Sequence, residues 1–171
     1  LSINRFIKSH RFTTIFILTD KNSKKHCLKD LFNQVPLLKN SSIIEIPSGE
    51  SSKSLQIFQS ICSSLIKQNI DRNSLIINLG GGVICDLGGF VASVLKRGIK
   101  FINIPTTLMS QIDASIGGKV ALNLKQNKNQ IGLFSNPELV IVYPRYLQSL
   151  SSIDFLSGTA EIFKYGLIHD K

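Results

Sequence analysis

The chain has 171 residues, 43% apolar and 18% charged, which is material for one packed core and a little more. No apolar run is long enough to cross a bilayer, and residues 1–6 lack the charged-then-apolar layout of a secretory signal, so a soluble cytoplasmic protein is expected. The net charge of +9 would suit a nucleic acid, but the excess falls on Arg5, Lys8, Arg11, Lys21, Lys24, Lys25, Lys29 and Lys39, read as a solvated face with no base-reading motif beside it.

In chain order, residues 14–19 form a β-branched and aromatic run ending at Asp20, and residues 43–46 form a second run closed by Pro47; both are expected to be strands. Between residues 53 and 68, Leu55, Phe58, Ile61, Cys62, Leu65 and Ile66 recur at helical spacing, with Ser51 or Ser52 as the cap. After the turn Asp71-Arg72-Asn73, residues 75–79 are continuously apolar, the pattern of a strand covered on both faces of a parallel sheet. Gly80-Gly81-Gly82 then opens a helix with Val83, Leu87, Phe90, Val91 and Val94 inward, ending on Lys96-Arg97-Gly98. Residues 101–104 give a strand stopped by Pro105, and residues 139–142 another stopped by Pro144. This alternation predicts an α/β layer domain, with a boundary near Leu150 to a helical region carrying Ala160, Phe163 and Leu167 on one stripe.

Cys27, Cys62 and Cys85 are odd in number and widely spaced, which argues for reduced thiols over a disulfide framework or zinc knuckle. Three glycines after a strand admit close approach of a phosphate to backbone N–H groups, although a plain tight turn also explains them. Asp20 and Asn22 follow the first strand, where a carboxylate meets ribose hydroxyls. Ser48, Gly49, Glu50, Ser51, Ser52 and Lys53 form a loop that either contacts a ligand or caps a helix, and Thr106-Thr107 pose the same choice. Arg97 and Lys100 would clamp an anion or serve as helix-end cations. Asp113, Gly117-Gly118-Lys119 and Lys128-Asn129 cluster an acid, amines and an amide around glycines, the composition of a proton-moving, anion-binding pocket; a solvent-exposed ion pair is the alternative. Glu161 and Lys164 share a helix face, and Glu161 becomes a metal ligand only if histidines join it; His10, His26 and His169 lack convincing spacing.

As an ordered set, residues 80–93, Arg97-Gly98, residues 104–108, 113–119, Lys128-Asn129 and 158–166 resemble the 3-dehydroquinate synthase family over nearly the whole chain. The resemblance implies a Rossmann-like parallel-sheet NAD-binding domain over residues 1–149, followed by the start of an all-α domain holding zinc or cobalt over residues 150–171. It implies a lyase of aromatic amino acid biosynthesis that cyclises 3-deoxy-arabino-heptulosonate 7-phosphate through transient oxidation, phosphate loss, re-reduction and aldol closure. Cofactor positions fall on Asp20, Asn22, residues 48–53, Gly81, Gly82, Val83, Ile84, Cys85, Asp86, Thr106, Thr107, Lys119, Lys128, Tyr146, Leu147, Gln148 and Ser149. Substrate and catalytic positions fall on Asp113, Lys119, Asn129, Arg97 and Lys164, with Glu161 as first metal ligand. A homodimer is compatible with the resemblance; a nucleic acid or membrane partner is not expected.

Two substitutions depart from the family pattern: Cys85 stands at a usual glycine and should crowd the phosphate turn slightly, and Asp154 replaces a longer acid. The chain starts without Met and stops within a helical pattern before the family's two metal-binding histidines, so a fragment of a longer enzyme, inactive by itself, is expected. The rival readings are another sugar-phosphate cyclase, an iron-dependent or glycerol-type alcohol dehydrogenase, and a non-catalytic NAD-binding remnant.

Overall fold

The computed structural model describes residues 2–168. Its frame is a five-stranded, all-parallel sheet in the order β2-β1-β3-β4-β7, formed by β1 (Ile15–Asp20), β2 (Ser42–Ile46), β3 (Leu75–Gly80), β4 (Lys100–Pro105) and β7 (Leu139–Val140). Every residue of β3 is buried, as a continuous apolar run at the centre of a doubly covered sheet requires. The expected α/β class therefore holds, and the final strand is shorter than expected: only Leu139 and Val140 pair with β4, before the chain turns off at Pro144.

One face of the sheet is covered by α1 (Ser2–His10) and by a helical stretch built from α2 (Lys21–Ser23), a π turn (Lys24–Leu28) and α3 (Lys29–Gln34). Ile3, Cys27, Leu28, Leu31 and Tyr146 pack there against Ile17, Leu75, Ile77 and Ile102. All eight basic residues of the N-terminal face are exposed on these elements and their connections. Neither α1 nor the 21–34 stretch stood out in the sequence, because their apolar residues are sparse among lysines and polar residues.

The other face is covered by α4 (Leu55–Lys67) and α5 (Gly82–Val94), with Ile61, Leu65, Leu87 and Val91 against Phe16, Leu18, Ile76 and Phe101. The cap of α4 is Ser54, whose Oγ accepts from Ile57 N–H at 3.4 Å, rather than Ser51 or Ser52. The two earlier serines lie in a 3-10 turn, Glu50–Ser52, and Ser52 Oγ instead donates to Pro47 O at 2.7 Å. Helix α5 gives way to a 3-10 turn at Leu95, where Lys96, Arg97 and Gly98 all take positive φ of 55°, 66° and 113°. Only the glycine adopts that conformation without strain.

An antiparallel hairpin, β5 (Lys119–Leu124) and β6 (Asn127–Phe134), was not expected. Its asparagines and glycine disfavour strand on propensity; Val120 and Leu122 are buried in the core and Ile131 packs half-buried against it. A 3-10 turn, Pro144–Ser149, is followed by α6 (Ser152–Ile168), a helix capped by Ser151, whose Oγ accepts from Asp154 N–H at 3.1 Å.

Candidate active site

Parallel strands deliver their carboxyl ends to one edge of a sheet, and here that edge carries two adjoining cavities. A crevice of about 500 Å³ is lined by Asp20, Asn22, Ser48, Gly49, Gly81, Gly82, Val83, Thr106, Thr107 and Ser149. Beside it lies a cleft of about 670 Å³ lined by Asp86, Asp113, Lys119 and Asn129, together with Tyr165. The partition between them is the first turn of α5 against the π turn Ser110–Ala114: a Cβ on Gly82 would stand 3.3 Å from Ala114 Cβ.

The crevice is built around the amino end of α5. Gly81 occupies the cap position and no described side chain caps the helix, so its first-turn N–H groups are available to an anion, which the helix dipole also favours. A Cβ on Gly81 would lie 3.0 Å from Thr107 Cγ2, so a side chain there would intrude on the opening. At the far wall, Asp20 Oδ1 accepts from Ser23 N–H at 2.8 Å, and Asn22 N–H donates to Ser48 Oγ at 3.4 Å. That leaves the second oxygen of Asp20 for a hydroxyl.

The cleft is a charged corner. Buried Lys53, 4% exposed, donates from Nζ to both Asp86 Oδ2 and Asn129 Oδ1. Burial pushes the Asp86 carboxyl above its ordinary range; Lys53 opposes that shift, and the negative charges of Glu50 and Asp113 add to it. Tyr165 Oη donates to Asp113 Oδ1, and this hydrogen bond raises the phenol. Lys164 pairs with Glu161 one turn away on α6, which raises its ammonium. Glu161 Oε2 touches that ammonium as an ion pair but without the alignment of a hydrogen bond. A carboxylate holding a phenolic proton, beside a lysine and an amide, can grip an oxyanion and pass a proton.

Other expected positions fall outside both cavities. Ile84 and Cys85 are buried, and the Cys85 thiol faces Gly80 O at 3.9 Å, behind the glycine turn. Burial raises that thiol, and raises Cys27 to about 12, in keeping with reduced, inert cysteines. Glu50 accepts from Asn123 Nδ2 at 2.8 Å, Ser51 is exposed, and Lys128 lies exposed on β6. Tyr146 is buried beneath the sheet edge, Leu147 is half-buried, and Gln148 opens with Ser149 onto a separate shallow hollow beside His26 and Asp30.

Within this chain Arg97 sits at the carboxyl end of α5, one 13-residue helix from the cleft, or about 20 Å, so this chain's own fold does not bring it to Asp113 and Lys119. Lys100, three residues on, pairs with the Glu138 carboxylate at 2.6 Å. No group of three His, Cys, Asp or Glu among the described residues could hold a metal; His10 stacks on Phe12 far along the chain, and His169 lies outside the described residues. Sequence reasoning missed Tyr165, whose only signal is its place one residue after Lys164, and the crevice position of Asp154, signalled by its spacing from Ser151.

The family model and the curated relatives agree on one family. Residues 43–157 match the profile of the 3-dehydroquinate synthase N-terminal domain. The chain is 44% identical to the 3-dehydroquinate synthase of Clostridium beijerinckii, over 100% of this chain and 48% of that protein. It thus spans about half the length of the curated relatives it matches. Among solved structures, 2-deoxy-scyllo-inosose synthase complexed with carbaglucose-6-phosphate, NAD+ and Co2+ superposes with a TM-score of 0.89 at 25% identity, over 98% of this chain and 46% of that one. The 2-epi-5-epi-valiolone synthase of Streptomyces hygroscopicus, with NAD+ and Zn2+ bound, gives 0.81 at 26% identity, over 95% and 46%.

Proposed function

The chain belongs to the 3-dehydroquinate synthase family, and on that premise we propose that it is the dinucleotide-binding half of an enzyme that converts 3-deoxy-arabino-heptulosonate 7-phosphate to 3-dehydroquinate and phosphate. The observation that carries this reading is the shared wall at Gly82 and Ala114, which sets an uncapped helix amino end back to back with the Asp113–Lys119–Asn129 cleft.

The described residues fit a dinucleotide: the α5 amides would take the diphosphate, with room left by Gly81 against Thr107, and Asp20 would accept from a ribose hydroxyl. They do not complete a metal site, since Glu161 stands as a single carboxylate already touching Lys164. When bound, NAD supplies a reversible hydride acceptor that renders the neighbouring C–H acidic and returns to its starting state each turnover. On the protein side, Lys119 offsets the negative charge of the sugar phosphate, Asn129 donates to a substrate oxygen, and Asp113, holding the Tyr165 proton, is placed to exchange it with a substrate hydroxyl. Residues 150–168 begin the helical domain in this reading.

In the complete reading frame, phosphate release from the heptulosonate phosphate is expected to stop when NAD+ is stripped or a chelator is added. Release indifferent to both rejects the proposal. A net rise in NADH during turnover would instead assign the chain to the dehydrogenases.

A further inference from the structure

Lys53 is the one buried lysine of the described residues, and its ammonium joins two different elements: Asp86 on α5 and Asn129 on the hairpin. An ammonium only donates, so the atom of Asn129 that faces it is Oδ1, and the amide nitrogen is turned away. Asn129 lines the cleft, and its Nδ2 has no partner among the described residues. The same lysine holds the hairpin through its backbone, its carbonyl accepting from Asn123 N–H at 2.8 Å. Asn123 in turn accepts from Asn129 N–H at 2.9 Å through Oδ1 and donates to Glu50 through Nδ2. Asn129 itself is held at a positive φ of 57°, which it tolerates better than most residues. The loop that carries Lys53 starts at Ser48 and Gly49, which line the neighbouring crevice.

We propose that Lys53 is a positioning residue that fixes Asn129 as a hydrogen-bond donor toward the cleft and, through its loop, passes occupation of the crevice to the hairpin. Asp86 presents one unbonded carboxylate oxygen at the same corner, so donor and acceptor stand side by side, a pair that recognises a hydroxyl group of a polyol. The orientation of Asn129 follows from this chain's geometry alone; the coupling to the crevice rests on the dinucleotide reading above.

The test is proton–nitrogen NMR on the 15N-labelled chain. The Lys53 ε-ammonium is expected to give a resolved, exchange-protected signal in the ligand-free protein, and Asn129→Ala is expected to speed its exchange about tenfold. Lys53→Met is expected to raise backbone exchange at residues 127–130 about tenfold while β3 stays protected, and Lys53→Arg to recover part of the loss. Saturating NAD+ is expected to slow exchange at those tip residues in the wild type and not in Lys53→Met. An ammonium signal lost to rapid exchange overturns the clamp, as does a tip indifferent to Lys53→Met. A tip that responds equally to NAD+ in both proteins overturns the coupling. If calorimetry on the same wild-type sample finds no NAD+ binding, the dinucleotide reading falls, and the orientation of Asn129 is decided by the ammonium and tip measurements.

Discussion

The two cavities are walled by regions held together in different ways. The crevice hangs on β1, β3 and β4, whose side chains are buried on both faces, so its shape follows from packing. The cleft hangs on the β5–β6 hairpin and α6, where β6 is almost wholly exposed and Ile153, Leu156, Phe163 and Leu167 of α6 are 70% exposed or more. β5 is anchored in the core by Val120 and Leu122, and polar ties hold the rest of the hairpin: Lys53 to Asn129, Asn123 to Lys53, and Ser135 N–H to Gly118 O at 2.7 Å. A packed region fails as a unit when one atom is misplaced, whereas a tied region loosens bond by bond.

The sharpest way to break the comparison is Gly88→Ala in α5. The added Cβ would stand 1.9 Å from Asn78 Oδ1 and 2.9 Å from Leu18 Cδ2, both in the buried interior, and a loss of about 3 kcal/mol in thermal or denaturant unfolding is expected. A small effect would mean that the sheet region gives as readily as the hairpin. Next is Gly81→Ala, at the rim rather than in the core: NAD+ affinity by calorimetry should fall about tenfold, equivalent to about 1.4 kcal/mol, with unfolding almost unchanged.

On the tied side, Asp113→Asn removes the carboxylate that holds the Tyr165 proton. The phenol should then titrate at lower pH, followed by ultraviolet absorbance, while unfolding changes by less than about 1 kcal/mol. The smallest effect belongs to Asp71, half-buried at a turn and held below its ordinary value by Thr13 and then Ser74. Its contribution is present above the ordinary value of 3.8 and is lost as pH falls through the lower, folded value, so Asp71→Asn should flatten the acid limb of the stability profile and leave its neutral-to-basic shape unchanged.

This contrast also explains what could be read from the sequence. Strands such as residues 75–79 announce themselves because burial on both faces demands an unbroken apolar run, and Gly80-Gly81-Gly82 marks the turn that follows. The hairpin gives no such signal: Asn123 and Asn129 serve as ties rather than as sheet residues, and Lys53 looks like part of a cap until its ammonium is seen inside. Sequence spacing also cannot show which end of α5 faces the cavities, and the fold puts Arg97 at the end away from them within this chain. Tyr165 joins Asp113 only because α6 folds back over the π turn, where Gly158 meets Leu108.

The paired amides of Asn78 and Asn103 lie opposite each other in the β3–β4 ladder, with Asn78 Nδ2 donating to Asn103 Oδ1 at 2.9 Å and Asn103 Nδ2 to Ser115 O at 3.3 Å. Strands as uniformly greasy as their neighbours could slide two residues and still bury an oily side chain at every level. Two amides that must meet work as a notch and tooth, since a slipped alignment would strand both in the dark. The same pair thereby keeps Gly80 level with Pro105, so the floor of the crevice is flush because of a latch two residues below it.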